Sequence, residues 1–234
     1  VVGLREKMQW FENRPLFGKK IVVTRARAQA SDMVAQLVEL GAECLEYPVI
    51  KTVPMDDGTR LDEAIARLSA YDWIIFTSVN GVDFFFRRLR ALGRDARALG
   101  GLRTACIGPV TAERLLSCGI ATDILPDSFR AESIVTAFRP EPMTGKRVLL
   151  PRAAEARMVL PEELMKMGAA VDEIPVYRTV DDTENIDRLI RQLEARAVDL
   201  ITFTSSSTVT NFKKLLPPDR FETLMADTRV AAIG

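Results

Sequence analysis

The segment Gly18-Lys19-Lys20-Ile21-Val22-Val23-Thr24-Arg25 recurs in diverged form as Gly145-Lys146-Arg147-Val148-Leu149-Leu150-Pro151-Arg152. Three further segments recur at an offset of 127 or 126 residues: 47–52 as 174–179, 76–78 as 203–205, and 105–108 as 231–234. Residues 18–108 and 145–234 are therefore two diverged copies of one unit. A period this long corresponds to a whole domain rather than to a solenoid turn, so we expect two similar domains that face one cleft.

The charge balance excludes partners that are recruited by a net field. The 234 residues include 32 basic and 32 acidic side chains. We therefore expect neither a nucleic-acid partner nor a membrane partner, although a small anionic ligand needs only local donors. The hydrophobic content of 47% is sufficient for two modest cores.

Histidine is absent from the sequence, which removes the commonest general base and the commonest metal ligand. The three cysteines, Cys44, Cys106 and Cys118, show no metal-ligand spacing, so we expect no metal. Free thiols in a chain without a signal-like segment point to a reducing cytoplasm. Any catalysis must then rely on Tyr, Ser, Thr, Arg, Lys, carboxylates or the backbone.

Apolar strand patterns alternate with amphipathic helix patterns, which is typical of α/β folds with parallel, doubly wound sheets. We place strands at 20–24, 44–47, 72–76, 103–107, 121–125, 147–150, 170–174, 199–203 and 229–233. We place helices at 29–40, 60–69, 79–91, 109–117, 131–138, 155–167, 184–196 and 206–215, and an amphipathic leader helix at 3–12. Gly41 and Gly168 each follow a predicted helix as C-terminal caps.

Two β-branched segments, 48–53 and 175–180, lie just beyond the second strand of each copy. They are compatible with crossover strands that pair as a two-stranded hinge, so that the start of one copy packs with the end of the other. Two simple tandem domains are equally compatible with the sequence pattern.

Polar residues follow a predicted strand and open a helix at the same place in both copies. They are Thr77, Ser78 and Asn80 in the first copy, and Thr204, Ser205 and Ser206 in the second. Hydroxyl side chains at such positions cap free backbone amides, and the same amides suit a carboxylate oxygen. Capping alone explains either copy, but the recurrence favours anion binding at this edge of the sheet.

Three further features are candidates for ligand contacts. Gly108 precedes a helix with Pro109 in its first turn, which permits a close backbone approach, and Thr111 follows on that helix. Arg25 and Arg152 end the first strand of each copy, where a guanidinium can bind a carboxylate or form a surface ion pair. Tyr177 lies on the proposed hinge strand, and its phenol can donate a proton.

The sequence also contains motifs in an order and spacing that resemble uroporphyrinogen-III synthases over residues 18–234. These motifs are Arg25 after an apolar strand, Tyr-Pro-Val-Ile at 47–50, Phe-Thr-Ser-Val-Asn-Gly-Val at 76–82, Ile-Gly-Pro-Val-Thr-Ala at 107–112, Val-Tyr-Arg-Thr at 176–179, Ile-Thr-Phe-Thr-Ser at 201–205 and Ala-Ala-Ile-Gly at 231–234. Residues 1–17 resemble the junction found in bacterial fusions with an N-terminal uroporphyrinogen methyltransferase.

The resemblance implies two flavodoxin-like domains joined by a two-stranded β-ladder hinge, which favours the crossover topology. The expected first domain comprises residues 18–48 and 178–234, with its C-terminal part missing, and the second comprises 49–177. Residues 1–17 then form a linker or leader helix. A monomeric synthase unit is expected.

The resemblance further implies a cofactor-independent lyase that acts on hydroxymethylbilane, a linear tetrapyrrole with eight carboxylates. Its product is uroporphyrinogen III, formed with inversion of ring D through a spiro intermediate. Tyr177 matches the family's tyrosine at the cleft, and Ser78, Thr111, Thr204 and Ser205 match cleft-lining positions. Two other interpretations of the sequence stay open: a non-catalytic two-lobed receptor for an anionic small molecule, and a scaffold domain for a fused enzyme.

Overall fold

The computed structural model describes residues 12–25, 27–128 and 131–232. Most of the predicted leader helix, residues 3–12, lies outside these residues, as does Gly234. The strands of the described residues are β1 (Lys20–Val23), β2 (Glu43–Glu46), β3 (Ile50–Pro54), β4 (Trp73–Phe76), β5 (Arg103–Cys106), β6 (Arg147–Ala153), β7 (Ala170–Asp181), β8 (Leu200–Phe203) and β9 (Arg229–Ala232).

The α-helices of the described residues alternate with these strands. They are α1 (Arg27–Glu39), α2 (Thr59–Ala66), α3 (Val79–Ala91), α4 (Pro109–Ser117), α5 (Ala131–Phe138), α6 (Val159–Lys166), α7 (Ile186–Glu194), α8 (Ser206–Leu215) and α9 (Phe221–Met225). Two short 3₁₀ helices, Leu68–Ala70 and Ala96–Leu99, complete the list. None of the described helices combines the length and the apolarity that crossing a membrane requires.

The chain divides into two compact units, one formed by Val1–Lys51 with Val180–Gly234 and the other by Thr52–Thr179. The chain passes from one unit to the other within β3 and again within β7, which are neighbours in one sheet. The sequence placed these two boundaries after residues 48 and 177.

The first unit contains a four-stranded sheet in the order β2-β1-β8-β9, in which each neighbouring pair is parallel. The second unit contains the order β7-β6-β4-β5, again with parallel pairs, and β3 adds a fifth strand beside β7. Each sheet therefore combines the first two strands of one copy with the later strands of the other. The crossover topology is confirmed, and the strand order is that of doubly wound folds, in which ligands bind where the order reverses.

Alternate residues of β4 enter separate hydrophobic clusters in the second unit. Ile74 and Phe76 pack into one cluster, and Trp73 and Ile75 pack into the other. All four side chains are buried, as expected for a parallel strand that helices cover on both faces. The first unit has its own cluster, which includes Val22, Ile201 and Phe212.

The predicted strand at 121–125 is wrong, because this segment contributes only an isolated bridge between Ile124 and Ala105. Its backbone bonds to β5 only at Thr104 and Cys106, and side chains supply further contacts. The Thr104 hydroxyl donates to the carbonyl of Ala121 at 2.8 Å, and the Asp123 carboxylate accepts from the amide of Thr104 at 2.7 Å.

Several other boundaries differ from the prediction, and the largest shifts are at the end of β7 and the start of α6. β6 continues to Ala153 instead of ending at Leu150, and β7 runs unbroken through the proposed hinge segment to Asp181. The longer β6 delays the start of α6 to Val159, four residues after the expected position at Glu155. The short helix α9 carried no sequence prediction.

Gly168 and Gly119 allow the energetic cost of replacing a glycine at a helix C-terminus to be measured. Gly168 follows α6 at φ +89°, its amide donates to Met165, and an added Cβ would lie 3.1 Å from the Cα of Thr144. Gly119 has the same φ and the same cap bonding after α4, but no atom within 4 Å of its added Cβ. Gly119→Ala should lower the free energy of unfolding by roughly 1 kcal/mol, the cost of a left-handed residue with a side chain.

Gly168→Ala should cost more, about 2 kcal/mol, because the contact with Thr144 adds to the same backbone strain. Chemical denaturation of the two variants beside the parent chain measures both losses. Equal losses would show that the backbone at Thr144 moves aside freely and that the close approach carries no energy.

Candidate functional site

Ser78 connects the end of β4 to the start of α3. Its backbone is extended, and its hydroxyl accepts a hydrogen bond of 3.0 Å from the amide of Gly81. Ser205 does the same for α8, where it accepts from the amide of Thr208 at 3.2 Å. Both serines are therefore helix N-caps, and the equivalence of the two copies extends to the cap geometry.

The Ser78 hydroxyl also lies 3.0 Å from the phenol oxygen of Tyr177, whereas the Ser205 hydroxyl lies within hydrogen-bond distance of the Ser207 and Thr208 hydroxyls on its own helix. Tyr177 is on β7 and is 7% exposed, and its ring stacks on Phe84 with centroids 5.3 Å apart and planes 18° apart. The hydroxyl of Tyr177, on β7 of the second copy, therefore lies at the N-terminus of α3, which belongs to the first copy.

Arg152 lies beside this pair, but not as an exposed clamp at the end of a strand. β6 extends past it, and the residue is only 4% exposed. Its Nη2 donates to the carbonyl of Arg157, and its Nη1 lies 3.5 Å from Oε1 of Glu173. Within the described part of the chain, Nε and Nη1 have no hydrogen-bond partner.

The pKa of Arg152 reflects its burial and its interactions with Glu173 and Tyr177. Burial lowers the pKa of its guanidinium from the usual value, and interactions with Glu173 and with Tyr177 oppose that change. Nε and Nη1 of this arginine are buried donors without hydrogen-bond partners among the residues described. Each such donor costs about 1–3 kcal/mol. The spare donors of Arg152 suit a carboxylate that enters from outside.

Gly81 allows the first turn of α3 to approach β6. An added Cβ would lie 3.1 Å from the carbonyl oxygen of Pro151 and 3.3 Å from the Ser78 hydroxyl. The equivalent residue of the second copy is Thr208, whose hydroxyl lies 2.7 Å from that of Ser205. The two helix starts therefore share a cap but differ in how closely another strand can approach.

The remaining predicted residues of the second unit surround the same edge. Thr77 and Asn80 are half-buried on either side of Ser78. Gly108 is the N-cap residue of α4, and Thr111 is 5% exposed on that helix. The amide of Ile107 donates to the carbonyl of Phe76 at 3.0 Å, which places the start of α4 next to the end of β4.

The first unit contains the other four predicted residues at the equivalent edge of its own sheet. Arg25 follows β1 and is exposed, while Thr204 is half-buried after β8. Ser205 and Ser206, at the start of α8, are both exposed. The predicted set is thus divided between the two units, with one group at the sheet edge of each.

The two sites are equivalent in topology but not in chemistry. An offset of 127 residues relates Tyr177 to Ile50 and the buried Arg152 to the exposed Arg25. Among the described residues, a phenol contacts the capping serine in the second unit, and no such contact is found in the first.

Sequence reasoning missed two contributors. The run 84–86 is typical of a core, which is correct for Phe85 and Phe86, but Phe84 is only partly buried and forms the stack on Tyr177. Glu173 carried no prediction and is the ion-pair partner of Arg152. No group of three metal-ligating side chains is present in residues 12–25, 27–128 and 131–232.

Arg152 and Glu173 make a matched pair for a stability test. Arg152→Met should change the free energy of unfolding by less than about 1 kcal/mol, because it removes a poorly satisfied buried charge and leaves Glu173 partly hydrated. Glu173→Gln should destabilise by about 1–3 kcal/mol, because it leaves the buried guanidinium without a carboxylate.

Urea denaturation of both variants and of the double variant measures these losses. The double variant should regain most of the stability that Glu173→Gln loses. A larger loss for Arg152→Met than for Glu173→Gln would mean that Arg152 is a structural residue of the core.

The chain resembles known proteins over most of its length. The family profile described as uroporphyrinogen-III synthase HemD matches residues 31–234. The porphyrin biosynthesis protein HemD of Ruminiclostridium josui is 34% identical over 226 residues, which are 97% of this chain but 45% of that protein. The uroporphyrinogen-III synthase of Synechococcus elongatus is 37% identical over 204 residues, or 87% of this chain and 76% of that protein.

A solved structure supports the fold independently of the sequence relatives. A mutant uroporphyrinogen III synthase from the extremely thermophilic bacterium Thermus thermophilus superposes with a TM-score of 0.59 at 20% identity, over 92% of this chain and 85% of that one. At this identity the likeness establishes the two-domain α/β architecture alone. From the profile match and the two relatives, the chain belongs to the uroporphyrinogen-III synthase family.

Proposed function

We propose that this chain converts hydroxymethylbilane into uroporphyrinogen III without a cofactor, and that the second unit supplies the acid. The observation that carries the proposal is the 3.0 Å pair of the Ser78 and Tyr177 hydroxyls beside the buried Arg152. This arrangement offers a proton and a cation at one strand edge in a chain that has no histidine.

The first step requires loss of the terminal hydroxyl of the substrate. Tyr177 donates its phenolic proton to that oxygen, the carbon–oxygen bond breaks, and water leaves, so that an electrophilic azafulvene remains, still protonated at its ring nitrogen and therefore cationic. The Ser78 hydroxyl then donates to the phenolate, in the contact that the two hydroxyls already make. Arg152 stabilises the same negative charge electrostatically.

The second step sets the isomer. The substituted carbon of ring D attacks the azafulvene to form a spiro intermediate, which reopens and recloses with that ring inverted. Loss of a ring proton, which the phenolate can accept, restores the pyrrole. Because the free substrate cyclises unaided to the type I isomer, the protein must hold the chain so that the spiro route has the lower barrier.

The carboxylates of the substrate provide the means of holding it. The spare donors of Arg152 suit one of them, and the helix starts at Ser78, Gly108 and Ser205 suit others. A hundredfold preference for type III requires a barrier difference of only about 2.7 kcal/mol. We assign the same binding role to the remaining predicted residues, which are Thr77, Asn80, Thr111, Arg25, Thr204 and Ser206.

The product isomer tests the proposal directly. Freshly generated hydroxymethylbilane is incubated with the protein, the products are oxidised to porphyrins, and the isomers are separated by chromatography. Type III porphyrin well above the protein-free control is expected. Type I porphyrin at the control rate would reject the synthase and leave a non-catalytic module for an anionic ligand.

Tyr177→Phe should lower turnover by about 100-fold without abolishing it, because removal of a general acid costs about 10²–10⁴ and water can replace the phenol in part. The ring and its stack on Phe84 are retained in this variant, so the fold is expected to stay intact. Initial rates of type III formation measure the effect. Full activity would remove Tyr177 from the mechanism.

Ser78→Ala and Ser205→Ala form a matched pair, since both remove an N-cap and each should cost about 1 kcal/mol of stability. Only Ser78→Ala also removes a partner of Tyr177, so it should slow turnover by about tenfold more than Ser205→Ala. Unfolding and rate measurements on both variants separate the two effects. Equal rates would limit Ser78 to capping.

The expected N-terminal methyltransferase remains part of this proposal. The matched segment covers 45% of the Ruminiclostridium josui protein, so more than half of that protein lies outside the match. We infer that a methyltransferase acting on the product is the partner that residues 1–17 join to this chain.

A further inference from the structure

A surface cavity of about 510 Å³ opens in the second unit on the side of Phe84. It lies between the segment after β3, the helix α3 and the strand β7. Apolar side chains form much of its lining, among them Leu61, Phe84, Ala91 and Val176. The charged residues at the cavity are Asp56, Arg87 and Arg88.

Two of these three charges are neutralised by neighbours. Arg88 forms a two-bond ion pair with Asp62, and Asp56 accepts from Nη2 of Arg178 at 2.9 Å. Arg87 is exposed and lies over the ring of Phe84, with its guanidinium carbon 4.3 Å from the centroid. It forms no ion pair with any described residue. The cavity thus presents one guanidinium that an external anion can bind.

The lining defines the chemistry of the ligand. The Phe84 ring contacts Tyr177 and Arg87 through its faces, so its edge and the apolar floor are what a flat ring would meet, and the Arg87 guanidinium suits a carboxylate attached to that ring. The volume is within the range of small-molecule sites. A ring with short acidic substituents meets all of these requirements.

The cavity adjoins residues that contact or neighbour the proposed acid. Phe84 lines the cavity and also stacks on Tyr177, and Val176 lines the cavity one residue before Tyr177 on β7. A ligand in the cavity therefore contacts the residues that hold the phenol. This proximity favours part of the substrate over an unrelated small molecule.

We propose that this cavity binds one carboxylate-bearing pyrrole ring of the linear tetrapyrrole, with Arg87 as its anion-binding residue. The inference rests on the function proposed above, since the four rings of that substrate share eight carboxylates. Arg87 binds substrate and takes no part in the proton transfer.

Kinetics of Arg87→Gln test the role of the charge. This variant should raise KM about tenfold and change kcat less than about twofold, because the lost contact is with a carboxylate that does not react. Arg87→Lys should recover part of the loss. Arg90→Gln is the matched control, because Arg90 is exposed on the same helix but does not line the cavity.

Ligand binding tests the cavity without turnover. Indole-3-propionate should bind to the parent chain, inhibit it competitively, and bind at least about tenfold more tightly than indole-3-propionamide, which lacks the charge. Ala91→Trp should abolish binding of the probe by filling the cavity at an exposed helix position, and its unfolding midpoint controls for the fold.

The outcomes separate the two proposals. If the parent chain forms type III porphyrin and Arg87→Gln has an unchanged KM, the cavity assignment is wrong and the synthase stands. Non-competitive inhibition by indole-3-propionate overturns the substrate-ring assignment as well, because the cavity then holds a separate ligand. If the parent chain forms no type III porphyrin, both proposals fall, whatever the probe does.

Discussion

The parallel pairing of strands from different copies is the constraint on which the rest of the structure depends. β1 pairs with β8 in one sheet, and β6 pairs with β4 in the other. Neither copy can complete its own sheet, so each sheet requires long-range pairing between strands distant in sequence. The pairing of β6 with β4 also brings the strand that carries Arg152 next to the strand that precedes Ser78. Together with the pairing of β7 on β6, it allows Ser78 of the first copy to meet Tyr177 of the second.

The repeat then permits the two sites to diverge. Equivalent backbone positions carry the same serine cap in both units, because a helix start needs that bond whatever its function. The side chains around the cap have no such constraint. Tyr177 corresponds to Ile50, and Gly81 corresponds to Thr208. We therefore propose proton transfer in one unit, while both units keep helix starts whose free amides suit an anion.

The sequence predicted those elements whose ends have a local chemical signal. The helices α3, α4 and α8 begin and end as predicted, since Ser78, Pro109 and Ser205 mark their starts. The sequence prediction was wrong where a local signal was misleading, and it missed contacts between segments that are far apart in the chain. Pro151 suggested the end of a strand, yet β6 continues through it, and Arg152 is consequently buried instead of exposed. The stack of Phe84 on Tyr177 joins two distant segments, and no periodicity in either segment indicates it.

Rate and isomer selectivity place different demands on this site. Departure of the hydroxyl needs a proton at one atom, and the pair of Ser78 and Tyr177 offers it at one strand edge. Ring inversion needs a fixed conformation of a long anionic substrate, which no single group can impose. A barrier difference of a few kcal/mol is equivalent to one or two charge-assisted hydrogen bonds to carboxylates. Arg152 and Arg87 provide such donors at the cost of leaving their own charges incompletely paired. Under the proposed function, selectivity therefore depends on several modest anion contacts, which a chain without histidine can provide.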